Sequence, residues 1–153
     1  MKVLELKIPP IIIMALIGVI MWFVATLVPQ LVLVIPGQFI LAAIAGFTSI
    51  ALILAGAIAF RLAGTTVNPM QPSNTSSIVT RGIYKISRNP MYAGFLLLLL
   101  SWALLLSNIV SFAGLPVFVW YMNRFQIIPE EQALIAKFGA EYIAYAKNVR
   151  RWL

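Results

Sequence analysis

A chain of 153 residues that is 62% hydrophobic and 10% charged, with a mean hydropathy of +0.99, has too few polar side chains to cover a water-facing globule. Lipid is therefore expected as the solvent for most of its surface. Cys and His are both absent, which excludes disulfide staples, thiolate nucleophiles, imidazole bases and the commonest metal ligands. The net charge of +7 comes from 11 Lys and Arg against 4 Asp and Glu. These charges sit beside apolar runs, an arrangement that suits anionic headgroups and argues against nucleic acid as a partner.

In chain order, Lys2 and Lys7 flank the start of an apolar run over residues 8–28, and a second run covers 39–60. Both supply the roughly 20 residues that a straight membrane-crossing helix needs. A cleaved signal peptide also begins with basic residues, but its apolar region is only about 7–15 residues long and ends at a small-residue site that this run lacks. In the second run Ala51, Ala55 and Ala59 recur every four residues, a stripe against which another helix is expected to pack.

The apolar signal stops over residues 64–89, where Asn68-Pro69, Gln71-Pro72-Ser73-Asn74 and Thr75-Ser76-Ser77 are turn formers. Ile78-Val79 and Gly82-Ile83-Tyr84 predict that this segment returns to pack on the bundle. Two shorter apolar runs, 92–106 and 109–125, are separated only by Ser107-Asn108, which predicts a tight helical hairpin. After Pro129, residues Leu134, Phe138, Tyr142, Tyr145 and Val149 recur at three- and four-residue spacing, which predicts an amphipathic cytoplasmic helix. Pro129, Glu130 and Glu131 suit its first turn.

Every Lys and Arg falls before the first run, between the second and third, or from the end of the fourth, at Arg124, onward. By the positive-inside rule both termini and the central loop are expected in the cytoplasm. The expected fold class is all-α, an integral membrane bundle of about four transmembrane helices with a C-terminal amphipathic cytoplasmic helix, in a single domain over 1–153.

An antiparallel hairpin with a minimal turn brings Arg88, Asn89, Tyr92, Arg124, Gln126, Glu130 and Glu131 to one membrane face. Such a cluster is what an active site needs. It is also what an interface belt looks like, so a non-catalytic bundle that binds anionic lipid or a partner protein stands beside the enzymatic reading.

The run Gly82-Ile83-Tyr84, Arg88-Asn89-Pro90-Met91-Tyr92-Ala93-Gly94, a hydrophobic hairpin, Glu130-Glu131, Phe138-Gly139-Ala140-Glu141-Tyr142 and Val149-Arg150-Arg151-Trp152 resembles, in order and spacing, a superfamily of integral membrane enzymes. These are the isoprenylcysteine carboxyl methyltransferases and phospholipid methyltransferases, and the resemblance covers roughly Thr66 to Leu153. It implies S-adenosylmethionine as cofactor, bound without a Rossmann domain. Carried over by position, it implicates Ser76, Ser77, Ile78, Val79, Tyr84, Asn89, Pro90, Met91, Tyr92 and Glu130 in cofactor binding.

Arg124 and Gln126 are the substrate-side catalytic candidates that the resemblance implies. Gln126 stands where the isoprenylcysteine enzymes carry Arg, and Arg124 lies two residues earlier, about 200° around a regular helix. Asn89 stands where many members have His. Methyl transfer is an in-line displacement that needs positioning more than acids and bases, so the missing His is tolerable. A carboxylate acceptor has no proton to lose, whereas an amine or thiol does. The expected activity is methyl transfer to a lipophilic acceptor arriving from the bilayer of a prokaryotic inner membrane: an isoprenoid thioether carboxylate, a phospholipid amine or another apolar small molecule. A member that keeps the fold without turnover is the remaining variant.

Overall fold

A computed structural model describes residues 5–64 and 77–153, and apart from two isolated bridges the regular elements among them are helical. Helix α1 (Pro10–Leu27) opens with a proline, whose missing N–H is harmless in a first turn. Helix α2 (Gln38–Leu62) follows Gly37 at φ 72°, a conformation that glycine adopts without strain. A 3-10 turn, Gly82–Lys85, precedes α3 (Pro90–Leu106), which also starts on a proline. A second 3-10 turn (Ile109–Ala113) runs into α4 (Gly114–Tyr121), a π-helical turn (Met122–Ile127) and α5 (Ile128–Phe138). Helix α6 (Ala140–Asn148) follows.

Helices α1 and α2 are long and apolar enough to cross a membrane, and only 22% and 17% of their most apolar windows are buried. Helices with so little cover do not form the core of a water-soluble domain. Exposed side chains such as Val19, Phe23, Phe39 and Phe47 require lipid around them. Helix α3, at 17 residues, is shorter.

Helix α3 is the centre of the bundle. Its Tyr92, Phe95, Leu99 and Ala103 form one buried cluster with Ile13, Ile17 and Met21 of α1, Phe118 of α4 and Met122. Its other side lies against α2. Between apolar helices in lipid the hydrophobic drive is weak, so close approach and interhelical hydrogen bonds hold them together. At Gly94 a Cβ would lie 3.0 Å from the Ser49 carbonyl oxygen and 2.6 Å from Ile53 Cγ1. Ser101 Oγ donates to the Ala42 carbonyl at 2.8 Å.

The stripe of α2 that is buried comprises Ala42, Ala45, Ser49 and Gly56, whereas Ala51 is exposed and Ala55 and Ala59 are half-buried. The expected alanine stripe is therefore displaced to a neighbouring face. A strict four-residue repeat drifts about 40° per step around a helix, while the mixed steps of three and four stay on one side.

At the end of the bundle remote from the charged residues, the hairpin turn forms at Ser107 and Asn108 as expected. Ser107 ends α3 at φ 50°, and the Asn108 side chain accepts from Val110 N–H at 3.0 Å while donating to the Val28 carbonyl at 2.9 Å. That second bond ties the end of α1 to the hairpin. If close contact between α2 and α3 holds the scaffold, Gly94→Val will cost about 1–3 kcal/mol through overpacking. Thermal unfolding in detergent should show a lowered midpoint, with an unchanged midpoint contradicting the packing described.

Candidate functional site

Among the described residues, none of the charged side chains falls in 8–60 or 89–123, so all sit at the end where α1 and α3 begin. Two local features shape that end. Pro129 cannot donate to the Phe125 carbonyl four residues earlier, and this oxygen accepts the Leu6 N–H at 3.0 Å. The helix also widens into the π turn just before the proline, a distortion that recurs at functional sites.

Adjacent carboxylates at the start of α5 meet different partners. Glu131 is held by two guanidinium groups: Arg88 Nη1 at 2.9 Å, and Arg151 in a bidentate pair, Nε at 3.1 Å and Nη2 at 2.7 Å. Glu130 accepts from the Tyr92 hydroxyl at 3.1 Å, and the same hydroxyl hydrogen-bonds with the side chain of Gln126.

The C-terminal residues close over this arrangement. Arg88 N–H donates to the Arg150 carbonyl at 2.8 Å, and Asn89 Nδ2 donates to the Arg151 carbonyl at 2.9 Å. Trp152 Nε1 reaches Asn123 Oδ1 at 3.2 Å. Helix α6 is turned toward the site at Gly139, whose φ of 53° and ψ of −124° favour glycine. The single amphipathic helix expected after Pro129 is thus two helices. Tyr145 of the second donates its hydroxyl proton to the Tyr84 carbonyl at 2.8 Å.

These elements enclose a cavity of about 60 Å³, lined on one side by Ser77, Ile78, Val79, Tyr84 and Asn89 and on the other by Glu130, Leu134, Tyr142 and Tyr145. Phe60, Arg88, Ile127 and Glu131 complete the wall, and Phe60 meets the Tyr84 ring edge-on at 5.2 Å between centroids. Residues 77–79 also border a larger, open cleft of about 510 Å³ beside Ala59, Leu62 and Ala63. Arg88 Nε is buried without a partner among the described residues.

Electrostatics separate the groups by role. Burial raises the Glu130 carboxyl to about 7, with neighbouring Glu131 adding to the rise and the Tyr92 hydrogen bond opposing it. Burial also pushes up the phenols of Tyr84, Tyr142 and Tyr145, so all three stay neutral near pH 7.

Of the residues singled out in the sequence, Ser77, Ile78, Val79, Tyr84, Asn89 and Glu130 share the cavity wall. Tyr92 lies behind Glu130, and Pro90 starts α3. Met91 does not line the cavity; a Cβ on Gly56 would lie 2.5 Å from its Cγ, which places it against α2. Ser76 lies outside the described residues. The pair Arg124 and Gln126 is divided: Gln126 is buried beside Tyr92, whereas Arg124 forms an ion pair with Glu5 at 3.1 Å. The π turn does not bring them together.

Phe60, Leu134, Tyr142, Tyr145 and Arg151 were not singled out as site residues. Leu134, Tyr142 and Tyr145 had a signal in the helical spacing of the C-terminal segment. If the paired arginines clasp the site, Glu131→Ala will destabilise by about 3 kcal/mol because it leaves the mostly buried Arg88 uncompensated. Arg151→Ala, at a more exposed partner, will cost only about 1 kcal/mol. Chemical denaturation of both variants checks that order, and the reverse order contradicts the clasp.

The sequence model of phospholipid methyltransferases matches residues 37–141. An uncharacterized protein of Haemophilus influenzae is 48% identical over 63 residues, 41% of this chain and 100% of that protein. Protein-S-isoprenylcysteine O-methyltransferase B of Arabidopsis thaliana is 38% identical over 72 residues, 47% of this chain and 36% of the enzyme. The human protein-S-isoprenylcysteine O-methyltransferase is 33% identical over 79 residues, 52% of this chain and 28% of the enzyme. The chain thus spans about a third of the length of these named enzymes. No solved structure matches. With the match covering well over half of its length, this chain belongs to the phospholipid methyltransferase family.

Proposed function

We propose that this protein transfers a methyl group from S-adenosylmethionine to a lipophilic acceptor at the cytoplasmic face of a membrane. The observation that carries the reading is the cavity at the head of α3, where Glu130, Tyr84, Tyr142, Tyr145 and Arg88 share the wall. The cofactor offers a cationic sulfonium, an ammonium, a carboxylate, ribose hydroxyls and an adenine ring. Carboxylate and tyrosine faces suit the cations. The orphaned Arg88 donor suits the ligand carboxylate, and Ile78, Val79 and Leu134 with the tyrosines suit the ring.

A cavity of about 60 Å³ holds only a few waters, so a nucleoside-sized ligand needs its wall to give way. The 77–79 segment, bordering the larger cleft on its other side, is the wall proposed to yield. The bound cofactor supplies an activated methyl group. The protein's part is then to hold the donor between α3, α5 and α6, exclude water behind Tyr142 and Tyr145, and admit the acceptor from lipid near Gln126. Arg124, engaged by Glu5, is left out of the catalytic role.

The proposed topology has four spans: α1, α2, α3 and the compound helix over 109–127. The one-sided charge of the loops supports termini and central loop in the cytoplasm, in a multi-pass protein of a prokaryotic inner membrane.

Purified protein is expected to bind labelled S-adenosylmethionine, with Glu130→Ala weakening binding at least tenfold and Phe47→Ala, on the lipid-facing side of α2, leaving it unchanged. No binding by the wild type, or equal binding by Glu130→Ala, contradicts the reading. The pH dependence has a definite sign. Below about 7 Glu130 is neutral and attracts a cation weakly, whereas above that value it is a carboxylate, so affinity should rise from pH 6 to pH 8. Glu130→Gln should flatten that rise, and an affinity that falls over this range contradicts the assignment.

A further inference from the structure

The geometry points to a clamp on the π turn: Glu5 and Leu6, before α1, and Trp152, after α6, are positioning residues that hold Gln126 against Tyr92 and so fix how Glu130 faces the cavity. The inference rests on the methyl-donor reading above and adds how that site is held in place.

Three consecutive residues of the turn are engaged from outside its helix. Asn123 Oδ1 accepts from Trp152 Nε1 at 3.2 Å, Arg124 Nη1 meets Glu5 Oε1 at 3.1 Å, and the Phe125 carbonyl accepts the Leu6 N–H at 3.0 Å. The next residue, Gln126, is 2% exposed and hydrogen-bonds with the Tyr92 hydroxyl, which donates to Glu130 at 3.1 Å. Ile127, which follows, lines the cavity itself. A continuous set of contacts thus runs from the two outlying segments to the Glu130 carboxylate.

The helix needs outside support at this point. Pro129 leaves the Phe125 carbonyl without a donor four residues on, and the π turn departs from the regular α-helical bonding that would otherwise fix Gln126. Leu6 sits at φ 56°, a region that a bulky side chain enters only where its surroundings impose it. In that conformation its N–H meets the vacant carbonyl. Glu5, Leu6 and Trp152 all lie outside the residues 37–141 that the family sequence model matches, so the clamp belongs to this chain's own flanking segments.

A clamp and a plain charge effect differ in sign. Glu5→Gln removes a negative charge, which by Coulomb attraction and repulsion alone lowers the Glu130 titration midpoint, whereas Arg124→Gln removes a positive charge and raises it. Loss of the clamp instead loosens the Tyr92 hydrogen bond that opposes the rise of Glu130, so both substitutions move the midpoint upward from about 7. Tyr84, Tyr142, Tyr145, Glu131 and Arg88, which share the wall with Glu130, are unchanged in either variant.

The test follows the infrared band of the protonated Glu130 carboxyl against pH in the full chain in detergent without ligand, the band being assigned by its loss in Glu130→Gln. Glu5→Gln, Arg124→Gln and the uncharged change Trp152→Phe should each raise the midpoint by roughly 0.5 pH unit. Glu5→Gln and Arg124→Gln together should raise it no further than either alone. The exchanged pair, Glu5→Arg with Arg124→Glu, should restore the wild-type midpoint. Affinity for S-adenosylmethionine at pH 7 should fall about two- to fivefold in the single variants and recover in the exchanged pair. Lys7→Gln, at an exposed neighbour, should change neither reading.

Opposite shifts in Glu5→Gln and Arg124→Gln, no shift in either, or an exchanged pair that fails to recover overturns the clamp. A wild type whose Glu130 responds to these substitutions as expected, yet which binds no S-adenosylmethionine, overturns the donor reading and leaves the clamp standing, so the two failures are told apart.

Discussion

Glu131 joins three parts of the chain directly. Arg88 comes from the segment entering α3, Glu131 from the first turn of α5, and Arg151 from the C-terminal residues. Arg88 and Glu131 each keep only 14% of their side-chain surface exposed, so leaving either without a partner is costly. The backbone bonds from Arg88 and Asn89 to Arg150 and Arg151 lie alongside the clasp and depend on the same alignment. With it in place α6 is held over the head of α3, and Tyr142 and Tyr145 become cavity wall.

The membrane part of the molecule serves this alignment. Helix α3 carries Tyr92 at its first turn and is gripped along its length by α2, through Gly94 and Ser101, and by α1 and α4 through the buried cluster. Because lipid offers little drive for helix association, small residues and single hydrogen bonds to backbone carbonyls hold the helices together here. A second such bond, Ser111 Oγ to the Met21 carbonyl at 3.2 Å, holds the hairpin's return to α1. The hydrogen-bonded far end and the polar near end are thus separate solutions to one problem, keeping the start of α3 and the start of α5 side by side.

Much of this was legible in the sequence where local chemistry decides the outcome. Ser107-Asn108 turns the hairpin, and the apolar runs fall on α1, α2 and α3 within about two residues, as helix ends usually allow. Tyr84, Asn89 and Glu130, which line the cavity, are carried by short motifs. The rest depended on pairings between distant residues. Nothing local tells that Arg151 meets Glu131, or that Phe60 at the end of α2 meets Tyr84 edge-on. Gly139 occupies a helical spacing pattern, and its positive φ breaks the helix without disturbing the apolar periodicity. The alanines of α2 misled for a related reason, since a four-residue repeat resembles a helix face over two turns and leaves it over three.

The most direct test of the account is photoaffinity labelling with an azido-adenine derivative of S-adenosylmethionine, followed by peptide mapping. The account predicts labels within 77–84 and 134–145, lost when S-adenosylhomocysteine is added in excess. Labelling confined to the apolar faces of α1 and α2, or not displaced by that competitor, would contradict a donor site at the head of α3.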